Sequence, residues 1–302
     1  MRYNLKVSTM SPILLILTAV VAWASSFILV KAGLMEIPPV TLAALRFFIG
    51  SIIFLGILYS RYNSYEVFTY LRKNLKMLSA LGLMGIFLPN VFQNVGMQYT
   101  TASASSVLQT TSPVFTAVLA ALFLRESLGV RKAGGVTLAL TGAAMIATNG
   151  NLSSLTEITD YVYGNFLMLL SAVCYAFYII LSKIGLRDGE PLIIVSLSTA
   201  IGSIFLLIFA PIVERVGMLI NLSSYMWGII ITLAVVPTVI GFLSWFEALK
   251  SMDASKASFF IFLVPVFTVI FAHFFLKEDI TLFMVGNAAL IVAGVYMAES
   301  EE

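Results

Sequence analysis

The sequence predicts an all-α membrane protein: ten transmembrane helices forming two inverted five-helix repeats. Three observations predict it. Of 302 residues, 60% are hydrophobic and 11% charged, and mean hydropathy is +1.01; soluble chains run near 45–50% apolar and about 25% charged. Ten apolar runs alternate with clusters of charged, Pro, Gly or Asn residues. The chain also aligns with itself at a constant shift of 152 residues. Ten spans of about 20 residues occupy roughly 200 positions, which leaves no room for a separate soluble catalytic domain. No GxxxxGK[ST] phosphate loop occurs, so a nucleotide-driven pump is excluded. The net charge of +2 is dispersed, which gives nucleic acid no footprint, and Cys174 alone can form neither an intrachain disulfide nor a cysteine metal site. No cofactor is implied.

The runs lie at 11–31, 39–59, 75–98, 103–124, 130–148, 162–183, 190–210, 225–249, 255–276 and 280–298. The first resembles a signal peptide, with Arg2 and Lys6 before an apolar stretch and Ala22-Trp23-Ala24 mimicking a cleavage site. Its apolar run is nonetheless long enough to span, and the internal repeat requires it, so it is read as a helix. Lys and Arg placement sets orientation. With the N-terminus in the cytoplasm, thirteen basic residues fall on cytoplasmic segments, and only Lys31, Arg215 and Lys277 fall outside. Both termini are therefore expected in the cytoplasm. Asn151-Leu-Ser and Asn221-Leu-Ser are glycosylation sequons in expected outer loops, relevant only in a glycosylating host. So apolar and compact a chain suits a prokaryotic plasma membrane.

At the 152-residue shift, Trp23-Ala24 falls on Tyr175-Ala176 and Lys31-Ala-Gly-Leu34 on Lys183-Ile-Gly-Leu186. Pro39 falls on Pro191, Gly50 on Gly202, and Ala102-Ser103 on Ala254-Ser255. Pro113-Val-Phe-Thr116 falls on Pro265-Val-Phe-Thr268, Arg125-Glu126 on Lys277-Glu278, Gly134 on Gly286 and Gly142 on Gly294. Apolar matches carry no weight here, but Pro, Gly, Glu and Lys holding one register do. Residues 1–149 and 150–302 are accordingly read as two copies of one unit. An odd number of helices per copy makes the second enter the membrane from the opposite side. Such inverted pairs are how many secondary transporters alternate access to a midplane site.

Trp23-Ala-Ser-Ser-Phe27, Lys31, Pro39 and Leu45-Arg46-Phe47 resemble the opening of an EamA-type repeat. So does Tyr99-Thr-Thr-Ala-Ser-Ala104 running through Pro113 to Leu124-Arg-Glu126, followed by the Gly134/Gly142 helix. Tyr175, Lys183, Asp253-Ala-Ser-Lys-Ala257, Pro265, Glu278, Gly286 and Gly294 repeat the pattern. The chain thus resembles ten-helix members of the drug/metabolite transporter superfamily over nearly its whole length. That resemblance implies export of small metabolites, often amino acids, through a basket-like bundle with two-fold pseudosymmetry. It also implies that the fifth and tenth helices pair within one chain, as last helices pair between four-helix relatives, so a monomer suffices and a dimer is possible. Ser198 stands where the repeat partner has Arg46, and Gln93-Asn94 are unusually polar for the third helix.

Polar and aromatic residues at helical spacing mark faces that avoid lipid. Ser171, Tyr175, Tyr178 and Ser182 share such a face, with Trp23 and Ser26 as repeat mates. The third helix carries Asn90, Gln93, Asn94 and Met97; Trp245 is the mate of Gln93, and the fourth helix adds Ser105, Gln109 and Ser112. Two readings stand: an aromatic-walled cavity for a small amphipathic solute, or polar side chains gluing helices together. Arg46, roughly 10 Å below the outer end of the second helix, is placed either to attract a substrate carboxylate or to bind helix-end carbonyls. Glu247 is a proton-coupling candidate, or a local partner of Lys250. His273, the sole histidine, is a candidate proton sensor among Phe271, Phe274 and Phe275. Pro113 and Pro265 are kinks that either bend for gating or are static.

The function expected is a secondary carrier exporting small organic metabolites, first of all amino acids with aromatic or hydrophobic side chains, by alternating access. The rival of the same class is a proton-coupled multidrug or quaternary-cation exporter, which needs a deeply buried carboxylate; Glu247 is the only candidate. An intramembrane enzyme would need His, Asp, Glu or Ser clustered at one depth, and Glu247 and His273 lie toward opposite faces.

Overall fold

The computed structural model describes residues 11–112, 114–116, 119, 130–147, 150, 159–185, 189–215, 222–249, 260–261 and 263–299. No strand occurs among them. The first helix, α1 (Pro12–Gly33), starts where Ser11 Oγ accepts a hydrogen bond from the Leu14 amide at 3.2 Å and proline occupies the first turn. It belongs to the largest core cluster, with Val20, Ala24 and Phe27 all buried. Next, α2 (Pro39–Arg61) has no cap from its own flanking side chain. The carboxylate of Glu214 supplies one, accepting from the Val40 and Thr41 amides at 2.8 and 2.7 Å and from Thr41 Oγ1 at 2.7 Å.

The third stretch is helical from Ser64, not from 75. Basic residues interrupt its apolar run without breaking the helix, because Asn63 caps it and its exposed face accommodates Arg72, Lys73 and Lys76. It runs as α3 (Ser64–Leu81), a π-helical turn at Gly82–Phe87, and α4 (Leu88–Tyr99), with a kink at Asn74. Pro89 has no N–H to return to the carbonyl four residues back, which favours the wider turn before it. Lys31 Nζ donates to the Met97 and Thr100 carbonyls at 2.6 and 2.7 Å, closing the C-terminal end of α4.

The fourth segment begins as α5 (Ala102–Gln109), whose N-terminus is held by Glu278 as α2 is held by Glu214. Glu278 accepts from the Ala102 and Ser103 amides at 2.8 and 3.1 Å and from Ser103 Oγ at 2.7 Å. Then come α6 (Val130–Ala147), α7 (Asp160–Gly185) and α8 (Pro191–Val213). The eighth segment is again interrupted: α9 (Ser224–Leu233), a π-helical segment at Ala234–Ile240 containing Pro237, and α10 (Gly241–Leu249). Last are α11 (Leu263–Phe271), continued by a π turn at Ala272–Leu276, and α12 (Leu282–Glu299).

Six of these helices are long and apolar enough to cross a membrane: Pro12–Gly33, Pro39–Arg61, Ser64–Tyr99, Asp160–Ser182, Pro191–Val213 and Ser224–Ala248. Ala133–Ile146, Leu263–Leu276 and Leu282–Gly294 are shorter apolar helices.

Packing is arranged in pairs: α2 along α8, α6 along α12, α4 along α7, and α1 along both α10 and α11. Close approach depends on glycine. A Cβ on Gly50 would meet Thr238 Cγ2 at 2.9 Å with the Ala234 carbonyl behind it; one on Gly202 would meet Ile86 at 2.5 Å and the Gly82 carbonyl at 2.7 Å. Ser203 Oγ donates to Ser51 Oγ at 3.4 Å, a contact between residues 152 apart. Where α6 meets α12, Gly142 faces the Asn287 carbonyl and Gly294 faces backbone of Gly135 and Ala139. Gly134 and Gly286 are not part of this close contact: a Cβ on Gly134 would reach only Met297, and one on Gly286 nothing within 4 Å. Two straight helices touch most closely at one crossing, and it falls near Gly142 and Gly294.

Candidate functional site

The segments interrupted by π turns carry the chemistry, since a π turn rotates the side chains that follow it and frees backbone groups. On α4, Asn90, Gln93, Asn94 and Met97 recur at helical spacing, and all are buried. The Asn94 Nδ2 donates to the Pro39 carbonyl at 3.0 Å, which ties α4 to the start of α2, while its Oδ1 is buried without a partner. Asn90 Nδ2 donates to the Ile86 carbonyl at 2.8 Å within its own helix, and the rest of the side chain faces the Tyr175 hydroxyl.

Arg46 lies inside the bundle, with 5% of its surface exposed. Its Nε donates to Thr238 Oγ1 at 2.9 Å, and Cζ stands 4.8 Å from the Phe47 ring centroid. Thr238 belongs to the second π segment and passes its own hydroxyl proton to the Leu233 carbonyl at 2.9 Å. Tyr175 is the titratable side chain that faces Arg46. Among the described residues Arg46 therefore bridges α2 to the π segment beyond α9.

An aromatic group packs in the apolar cluster that contains Phe47. Trp23 packs on Trp245 with ring centroids 5.2 Å apart and planes tilted by 48°, and meets Phe242 edge-on at 5.9 Å. Gly241 makes room, since a Cβ there would lie 2.8 Å from Trp23 Nε1. Both tryptophans pack on the same apolar cluster as Phe47, Val239 and Phe242, and both keep part of their surface accessible. Ser26, one turn along α1, is buried and donates to the Trp23 carbonyl.

The remaining expected residues divide. Tyr178 is buried against Gly85, where any Cβ would overlap its ring, so it wedges α7 onto the first π turn. Gln109 accepts from Ser171 Oγ at 3.2 Å, and the same hydroxyl reaches the Pro89 carbonyl at 2.9 Å, which joins α5, α7 and α4. Pro265 is buried in α11, which packs on α1. Glu247 is half-buried near the end of α10, two residues beyond Trp245. His273 is not brought to the cluster: it is exposed on the last π turn, with Nδ1 3.1 Å from the Glu278 carbonyl and Phe274 beside it. A short apolar flank reads alike whether it faces core or lipid, which is why sequence alone left it a candidate. Pro113, Lys250, Glu126, Asn151 and Asn221 lie outside the described residues. Among the described residues no group of His, Cys, Asp and Glu is placed to hold a metal ion.

Three participants were not legible in the sequence: Thr238, Phe242 and Glu214. Only Pro237 and Gly241, flanking Thr238, hinted at an irregular backbone there.

Comparison with known proteins gives this arrangement a family. The sequence pattern of the EamA-like transporter family matches residues 10–148 and again 162–299. The chain is 30% identical over 278 residues to an uncharacterized transporter of Archaeoglobus fulgidus (strain ATCC 49558 / DSM 4304 / JCM 9628 / NBRC 100126 / VC-16), covering 91% of this chain and 94% of that one. It is 29% identical over 274 residues to the uncharacterized transporter YyaM of Bacillus subtilis (strain 168), covering 91% and 88%. The uncharacterized inner membrane transporter YhbE of Escherichia coli (strain K12) is 25% identical over 291 residues, covering 93% and 89%. A crystal structure of a protein with 18% sequence identity superposes at a TM-score of 0.68 over 96% of each chain, a likeness of fold alone. The chain belongs to the EamA-like transporter family, whose members are transporters and not enzymes, and it is a multi-pass membrane protein.

Proposed function

We propose that the protein is a secondary carrier that exports small organic metabolites by alternating access, with amino acids bearing aromatic or hydrophobic side chains as the first substrate class. The observation that carries this reading is the equivalence of the two halves around the Arg46–tryptophan cluster. The π turn at Gly82–Phe87 and the one at Ala234–Ile240 stand 152 residues apart at their starts. Gly202 packs on positions 82 and 86, and Gly50 on positions 234 and 238, the same register in the other half. The pairing of α2 with α8, α6 with α12, α4 with α7 and α10 with α1 exchanges into itself under that shift. This supports ten helices in two inverted five-helix units, 1–149 and 150–302, related by an axis passing near Ser51 and Ser203. A π turn leaves carbonyls free and bends easily, so two of them flanking one cluster suit a site opened from alternate sides.

The α6–α12 contact supports a monomer as the working unit, with the solute and the lipid bilayer as its partners. The Lys and Arg distribution supports cytoplasmic termini, and the inner-membrane description of YhbE supports a plasma-membrane location. The cation-exporter reading wants a carboxylate at the cluster; Glu247, half-buried near the end of α10, is poorly placed for it.

The test is uptake of labelled amino acids into liposomes holding the purified protein, with and without a pH gradient. Saturable, competable flux without a gradient establishes a facilitative carrier and leaves Glu247 structural. Accumulation that needs the gradient makes Glu247 the coupling candidate. Absence of amino-acid flux discards the substrate class, and flux unchanged by Gln93→Ala, Tyr178→Ala and Trp245→Ala discards the site.

A further inference from the structure

A guanidinium has five N–H donors in a planar fork. The described residues give Arg46 a single hydrogen bond, from Nε to Thr238, and no carboxylate pairs with it. Its terminal NH2 groups, the pair that binds a carboxylate in bidentate fashion, are not engaged. Only 5% of the residue's surface is exposed. A charge held inside a membrane-spanning bundle without a partner is costly. The Thr238 bond fixes the fork's direction and leaves its terminal NH2 groups without a hydrogen-bond partner among the described residues. Tyr175 and Asn90 line the same spot, and Trp23, Phe242 and Trp245 pack on the cluster that includes Phe47. Among the described residues no Asp or Glu pairs with these groups, so no carboxylate here offers an ammonium a counter-charge.

Resting on the carrier reading, we infer that Arg46 is the anchor for a carboxylate on the transported solute, that the tryptophan pair takes the solute's apolar body, and that the solute's amino group is not read. The cargo class is then arylalkanoic and related hydrophobic monocarboxylates, with amino acids accepted as members of that class.

The probes are 3-phenylpropionate, phenylalanine, phenylalaninamide, phenethylamine and acetate, titrated into the purified full-length protein while tryptophan fluorescence is read. The two ring-bearing acids should bind within about threefold of each other. The amide and the amine should bind at least about tenfold more weakly, the loss expected when a charged hydrogen-bonded pair is broken. Acetate, which lacks the ring, should also fall at least about tenfold behind, which separates an aromatic acid from any small anion. Arg46→Gln should weaken both acids roughly tenfold to a hundredfold. Arg46→Lys keeps the charge without the fork and should fall between, so the test survives if the Gln variant does not fold. Equal binding of phenethylamine and phenylpropionate overturns the assignment. So does unchanged binding in both Arg46 variants, or no saturable binding of either acid. Binding without flux in liposomes would sink the carrier reading and leave the anchor standing. Flux of phenylalanine inhibited equally well by phenethylamine would do the reverse.

Discussion

Replacing Gly202 with alanine tests how the bundle is held at its centre. The added Cβ would lie 2.5 Å from Ile86 Cβ, 2.9 Å from Ile86 Cγ2 and 2.7 Å from the Gly82 carbonyl oxygen, where ordinary contact begins at 3.4 Å. The shortfall is about 0.9 Å, and the atoms in the way are backbone and a β-branched side chain, neither of which can swing aside. Helix α8 must therefore separate from the first π turn by a large part of an ångström. A radial gap of about 0.5–1 Å forfeits a quarter to a half of the dispersion energy at each contact, and overpacking of this kind costs about 1–3 kcal/mol. Gly56→Ala in α2 is the control, since nothing lies within 4 Å of its Cβ. There the helical preference of alanine should stabilise by about 0.5–1 kcal/mol. Thermal unfolding of the purified proteins in detergent should show Gly202→Ala melting several degrees below the parent and Gly56→Ala at or above it, taking roughly 2–4 °C per kcal/mol. Equal melting of the two variants would refute the close approach of α8 to residues 82–86. Slowed transport is expected from Gly202→Ala alone, because the contact it disturbs sits on a π turn.

Further expectations concern the caps, the rings and Glu247 near the end of α10. Glu214→Ala and Glu278→Ala each strip a helix N-terminus of three acceptor contacts and should lower stability by about 1–2 kcal/mol, with the Gln variants less affected; melting curves that match the parent would rule out the capping role. Trp23→Ala and Trp245→Ala each break a ring pair worth roughly 0.5–1.5 kcal/mol beyond the area it buries, and either should depress flux more than it depresses the melting temperature. A variant that melts early yet transports normally would make the pair structural. Glu247→Gln should leave liposome flux and its pH profile unchanged. Loss of transport together with a shifted pH profile would favour the cation-exporter reading instead.

Much of the helix content was legible because its determinants are local. A run of apolar residues the width of a bilayer, ended by Pro, Gly or charge, names a helix without knowledge of its neighbours. Pro39 and Pro191 open α2 and α8, as their positions at the ends of apolar runs imply. The start of the third helix was misplaced because α3 begins as an amphipathic segment, whose exposed Arg72 and Lys73 look like a loop to any test of mean hydropathy. The polar faces of α4 and α7 were visible from spacing, and Asn90, Gln93, Asn94, Ser171 and Tyr178 are indeed buried.

Composition, hydropathy and the Pro and Gly register determined a membrane protein, the positions of most helices and a short set of inward-facing side chains. Tertiary structure decided which of those side chains meet. Arg46 finds Thr238 192 residues away, because a π turn, set by hydrogen bonds to the fifth residue back instead of the fourth, rotates Thr238 toward it. Glu278 holds α5 and Glu214 holds α2 only because the C-terminal ends of the last π turn and of α8 come to lie beside those N-termini. Gly142 and Gly294 touch backbone while Gly134 and Gly286 do not, and His273 faces outward, for one reason. Axial offset and crossing angle between helices are properties of a pair of surfaces, and no single helix carries them in its own periodicity.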